Sequence, residues 1–150
     1  MRIMAIDYGD ARTGIAVSDE SSTLVGEAWV MHSRNANETA QTAVDEAIAR
    51  GVLRIVVGHP KNMDGSIGAR AEKSEQFAEL LRCYYAFHEE NEIEILLWDE
   101  RMTTMSATRV LTEAGKFGKK RKKTIDAVAA SLILENYLNW YRGHVNGTQG

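Results

Sequence analysis

Three acidic positions in this chain stand where a fold could bring them together. Asp7 closes the apolar run in MRIMAIDYGD, Asp99 and Glu100 close another in EIEILLWDERMTT, and Asp126 opens a long apolar stretch in KTIDAVAASLIL. Carboxylates held away from water are costly unless they protonate or share a partner. A divalent cation is such a partner: Mg2+ takes oxygen ligands, keeps several waters, and binds a few carboxylates together with substrate phosphate. The chemistry open to such a cluster is metal-assisted cleavage of a phosphodiester, in which the ion activates water and holds the phosphate. Each acid also has a plainer reading. Asp7 suits a turn, Glu100 could pair with Arg101 or Arg12, and Asp126 suits the positive end of a helix. The set, rather than any one acid, points to a site.

Hydrophobic periodicity supplies the elements that must position these acids. Residues 2–7 and 14–18 predict two strands joined by a tight turn at 9–13, hence antiparallel, and 27–32 predicts a third. Ala40, Ala43, Val44, Ala47 and Ile48 recur at helical spacing within 36–50, before Gly51. The β-branched run 53–58 predicts a central strand. A helix is expected near 70–88, a strand at 92–98, a helix from Thr103 or Thr104 to about Ala114, and a last, buried helix over 125–141. The order β-β-β-α-β-α-β-α-α predicts a mixed sheet flanked by helices. In such sheets, sites form beyond the carboxyl ends of the parallel strands. Strand alternation does not choose between Asp99 and Glu100, because both faces of that strand look apolar.

The chain has 150 residues, the length of one domain with a substantial core, and its 44% hydrophobic and 26% charged content is ordinary for a globular protein. No apolar run reaches the length of a bilayer span or a signal peptide, so no membrane contact is expected. The single cysteine, Cys83, excludes an internal disulfide; it reads as a packing residue, and a reducing, cytoplasmic compartment fits. The net charge of −3 argues against indiscriminate coating of nucleic acid. The charge is uneven, however. KFGKKRKK at 116–123 holds no acid, and Lys119, Lys120, Arg121, Lys122 and Lys123 precede Asp126. Such a cluster would neutralise backbone phosphates without reading bases, with binding that weakens steeply in salt. The loop KNMDGSIGARAEK at 61–73 leads into a helix start, which favours anions. Lys61, Asn62 and Arg70 are therefore expected to touch phosphate or border the site. His59 reads as a loop residue, and Trp29, Trp98 and Trp140 as core. Asp19 ends an antiparallel strand and is left outside the site.

Four collinear stretches resemble the YqgF/RuvX family, pre-16S rRNA nucleases related to RuvC-type Holliday junction resolvases within the ribonuclease H-like superfamily. They are AIDYGDARTGIAVSD at 5–19, GHPKNMDGSIGARAEKSEQFAELL at 58–81, DERMTTMSATRVL at 99–111 and KKRKKTIDAVAASLILENYL at 119–138. The resemblance implies a ribonuclease H-like fold, an α/β mixed five-stranded sheet flanked by helices, over 1–142, with 143–150 as a mobile tail. It implies that Asp7, Glu100 and Asp126 bind Mg2+ or Mn2+ as catalytic residues. Glu100 is chosen over Asp99 on the family pattern alone. Arg12 matches an arginine of the first motif, Arg101 follows the second acid, and both join the expected substrate-binding set. The implied activity is endonucleolytic, leaving a 5′-phosphate and a 3′-hydroxyl, in processing the 5′ end of precursor 16S rRNA, with the ribosome as a further expected partner. The alternatives are a dimeric resolvase of branched DNA and a non-catalytic ribosome-assembly factor. One departure from the junction resolvases is that the fourth strand ends Gly58-His59-Pro60, without a carboxylate.

Overall fold

The computed structural model describes residues 1–88, 92–103 and 121–149; of 102–103, 121–126 and 145–149, only the backbone is described. The elements are β1 (Arg2–Asp7), β2 (Arg12–Ser18), β3 (Val25–His32), α1 (Ala36–Ala49), β4 (Val52–His59), α2 (Ala69–Tyr85), β5 (Glu94–Asp99), a 3-10 turn (Glu100–Thr103) and α3 (Arg121–Gln149). The helix expected from Thr103 or Thr104 onward lies outside the described residues. The five strands form one mixed sheet in the order β3-β2-β1-β4-β5. β1 pairs antiparallel with β2 and parallel with β4, and β4 pairs parallel with β5.

Local chemistry sets the boundaries. The β1–β2 turn is short, which forces the antiparallel pairing. It closes tightly enough that a side chain at Gly9 would run into the Arg12 carbonyl oxygen. Asn35 caps α1 by accepting from the Glu38 N–H at 3.1 Å. Gly51, at φ +70°, reverses the chain into β4.

β1 is buried on both faces, which is why its sequence reads as a continuous apolar run. Met4 and Ile6 pack with Val44, Phe77 and Leu81 of α1 and α2. Ile3 and Ala5 pack with Ala130, Ile133, Leu134 and Tyr137 of α3. The sheet is thus the middle layer of three. α3 runs opposite to β4: Ile133 lies at Gly58, near the end of the strand, while the Tyr137 hydroxyl accepts from Arg54 Nη1 at 2.7 Å, near its start. The N-terminal turns of α3 therefore project past the carboxyl ends of β1 and β4.

Two expectations need correction. α3 begins at Arg121 and continues through Gln149. Arg121, Lys122 and Lys123 therefore stand in its first turn rather than in a loop. Lysine and arginine are good helix formers and nothing in KKRKKTID breaks a helix. Cys83 is exposed rather than packed. The buried face of α2 carries Phe77, Ala78 and Leu81, and two residues beyond Leu81 is about 200° round the helix.

Phe77 is 1% exposed and stacks on Tyr8, with ring centroids 4.3 Å apart. It ties α2 to the residue that follows Asp7. Phe77→Ala should destabilise the chain by about 3–5 kcal/mol in urea unfolding; a loss below about 1 kcal/mol would contradict this account of the core.

Candidate active site

Strand period and helix placement together decide which acids can meet. On the α3 side of the sheet, Ile3 and Ala5 are followed by Asp7, Val56 by Gly58, and Leu96 and Trp98 by Glu100. Ile95 and Leu97 pack on the opposite side, with α1 and α2, and Asp99 follows them. The choice left open by the sequence pattern is thus made by the helix that covers each face. Glu100, not Asp99, lies on the face of Asp7.

Gly58 shows how close the approach is. A Cβ there would run into Glu100 Oε1 and would lie 2.6 Å from Ile133 Cδ1. Glu100 folds back over the glycine of β4 toward Asp7 on β1, while Asp99 is the last residue of β5 paired with β4, opposite His59. The absence of a carboxylate at the end of β4 leaves room for the side chain of Glu100. The missing acid is visible in the sequence, but the purpose of the glycine is not; its one signal is a glycine at the end of an otherwise β-branched strand.

The electrostatics follow from this crowding. Burial pushes the Asp7 carboxyl above the usual carboxylate range, and the charge of Arg70 partly offsets it. Burial, and then the neighbouring charge of Asp7, push Glu100 up to about 7, again opposed by Arg70. Asp99 behaves oppositely. Its carboxylate accepts from the Arg101 N–H and guanidinium, which hold it down at about 2. Two half-buried carboxylates that disfavour each other's ionisation are oxygen donors suited to a hard divalent cation. Among the described residues no group of three His, Cys, Asp or Glu could hold a metal ion. The third expected ligand is Asp126, whose side chain lies outside them. Its position is seven residues before Ile133, two turns further along the same helix, beyond the strand ends.

The remaining expected residues spread around this point. Arg70, in the first turn of α2, is the cation that acts on both carboxylates. It lines a cleft with Tyr8, Gly9, Asp10, Pro60 and Lys73. Arg12 starts β2 at the same end of the sheet as Asp7. Lys61 is close enough to act on Asp99. Asn62 is engaged within its own turn, donating to Ser66 Oγ at 2.9 Å. Arg101 is engaged with Asp99. Lys119 and Lys120 lie outside the described residues, as do the side chains of Arg121, Lys122 and Lys123. His59 is not a loop residue: it ends β4, is 7% exposed, and its Nε2 lies 3.1 Å from Glu75 Oε2 of α2. Asp19 accepts from the Thr23 N–H at 2.9 Å, as a turn residue should.

A sequence model described as "RuvX: Holliday junction resolvase" matches residues 1–140. The chain belongs to the RuvX family. Its RuvX-family relatives include proteins named "Putative pre-16S rRNA nuclease". The one from Halothermothrix orenii is 42% identical over 98% of this chain and 100% of its own length. The one from Geobacillus thermodenitrificans is 43% identical over 93% and 98%. Among solved structures, T. thermophilus RuvC in complex with a Holliday junction substrate superposes with a TM-score of 0.68 at 13% identity, over 96% of each chain. The yeast mitochondrial Holliday junction resolvase Ydc2 gives 0.60 at 11% identity, over 92% of this chain and 78% of its own. At these identities the likeness shows the fold, which is that of the RuvC resolvases.

The raised carboxyl of Glu100 has a consequence for stability without metal. The folded state holds this proton more tightly than the unfolded state. The contribution of Glu100 is therefore complete below the ordinary value of 4.5 and is lost as pH rises through about 7. Asp7 acts in the same direction. Glu100→Gln should raise the melting temperature relative to wild type at pH 8 but much less at pH 5. The scale is about 2–4 °C for each kcal/mol relieved in a domain of this size. An equal difference at both pH values would contradict the crowded-carboxylate geometry.

Proposed function

We propose that this chain is a metal-dependent endonuclease acting on precursor 16S rRNA at its 5′ end, in ribosome maturation. The observation that carries the reading is the convergence of Asp7 and Glu100 over Gly58, beyond the carboxyl ends of β1 and β5. The names of its relatives support the substrate. Asp7, Glu100 and Asp126 are the residues that would hold Mg2+ or Mn2+. When bound, such an ion supplies an activated water and neutralises charge on the scissile phosphate.

The chain's own residues do the rest. Gly58 keeps the floor between the two carboxylates clear of side chain, and Ile133 closes it from below. Arg70, whose charge acts on both carboxylates, would meet a phosphate arriving beside them. Arg12, Lys61 and Asn62 border the same end of the sheet. Lys119, Lys120, Arg121, Lys122 and Lys123 lead into α3 just ahead of Asp126, where a basic segment would hold the phosphodiester backbone. Cleavage on this reading leaves a 5′-phosphate and a 3′-hydroxyl.

The family model is described by another substrate, the Holliday junction. Precursor rRNA and four-way DNA junctions should therefore be presented side by side, with and without Mn2+. The expected result is Mn2+-dependent cleavage of the RNA, reduced in Asp7→Asn by more than the roughly 10–100-fold that loss of an outer-shell metal partner costs. Cleavage of the junction alone would reassign the substrate to branched DNA. Asp7→Asn cutting at the wild-type rate would remove Asp7 from the site, and metal-independent binding without cleavage of either would favour an assembly factor.

A further inference from the structure

Glu100 carries the site's most exacting geometric demand, yet it lies just past the end of the ladder. The last β4–β5 pair is His59 with Asp99. Glu100 is the first residue of the 3-10 turn, one position past that pair. Its two sequence neighbours fix the turn around it. Asp99 Oδ1 accepts from the Arg101 N–H at 3.0 Å, which closes a small ring with Glu100 at its centre. The guanidinium of Arg101 then grips the same carboxylate. Nε donates at 3.0 Å to both oxygens, and Nη2 donates to Oδ2 at 2.6 Å. A planar fork on a carboxylate fixes orientation as well as distance, which an ammonium cannot do. The outer end of Arg101 is backed by the 61–68 turn: its Nη1 lies 3.3 Å from where a Cβ on Gly65 would be. That turn is itself ordered, with Ser66 donating to Asp64 Oδ1 at 2.6 Å and the Gly65 N–H to the Asn62 carbonyl at 2.8 Å.

We propose that Asp99 and Arg101 are positioning residues for Glu100, closing a locked turn around it that aims its carboxylate over Gly58 toward Asp7. This rests on the nuclease reading for its consequence, though not for its geometry. It also changes the part expected of Arg101. A cation at the mouth of a nucleic-acid site reads from sequence as a phosphate contact; here its Nε and Nη2 donate to Asp99.

Conservative replacement separates the two roles. Arg101→Lys keeps the charge that a phosphate contact needs but loses the fork. If Arg101 positions Glu100, Arg101→Lys and Arg101→Ala should both weaken Mn2+ binding about 10–100-fold by titration calorimetry. Both should also lower kcat, with KM and the salt dependence of substrate binding unchanged. Asp99→Ala should match them, and Asp99→Ala/Arg101→Ala should be no worse than the more severe single variant. Rescue by lysine, or a raised KM in Arg101→Ala with a salt slope flattened by about one, would overturn the proposal in favour of phosphate contact. A second measurement needs no metal. In crystal structures of the metal-free protein, Asp99→Ala should stay folded with the Glu100 carboxylate turned away from Gly58. A Glu100 carboxylate still over Gly58 in Asp99→Ala would overturn the proposal. Should wild type bind no Mn2+, the nuclease reading falls, and this metal-free comparison still decides the positioning role.

Discussion

Two carboxylates forced together across a single glycine are the constraint on which the rest of this structure depends. Asp7 ends β1 and Glu100 follows β5, two strands that are not neighbours. β4 lies between them and contributes Gly58 where any side chain would block the approach. Burial and mutual repulsion make ionising both acids unfavourable without a compensating charge. Arg70 supplies part of that charge. A divalent cation would supply the rest, and its binding energy is then coupled to the protonation of the pair.

The architecture serves that meeting point. The β1–β2–β3 meander fixes the register of β1, so that Asp7 follows Ile3 and Ala5 onto the α3 face. The parallel pairing of β4 and β5 with β1 brings all three carboxyl ends to one edge. α3 crosses beneath them in the opposite direction, so its N-terminal turns, with the Asp126 position and the end of the basic segment, extend past the strands. On the other face, Phe77 stacks on Tyr8 and His59 meets Glu75. α2 is thereby tied to two strand ends, and its first turn presents Arg70 to the site.

Much of this was legible in the residues. Every described strand and both central helices follow from apolar periodicity, because the inner strands β1, β2 and β4 are largely buried and read as apolar runs. The convergence of strand-end acids followed from topology. What periodicity could not show was the face of Glu100, since a doubly buried strand has no polar side to orient it. Cys83 has apolar neighbours in sequence but does not share their helix face. Lysine and arginine ahead of α3 mark a charged surface without saying whether it is loop or helix. Gly58, His59 and Arg101 gain their roles only from three-dimensional partners: a carboxylate folded over the first, Glu75 against the second, and Asp99 gripped by the third.

If Asp7 and Glu100 hold one cation, the ion must displace the proton that burial keeps on the pair. Calorimetric titration of Mg2+ or Mn2+ in buffers of differing ionisation enthalpy measures this directly. With Glu100 at about 7, binding at pH 6 should release about one proton per ion from that residue. The release should decline toward pH 8 and be lost in Glu100→Gln. Binding that releases no proton between pH 6 and 8, or that is unchanged in Glu100→Gln, would contradict the account.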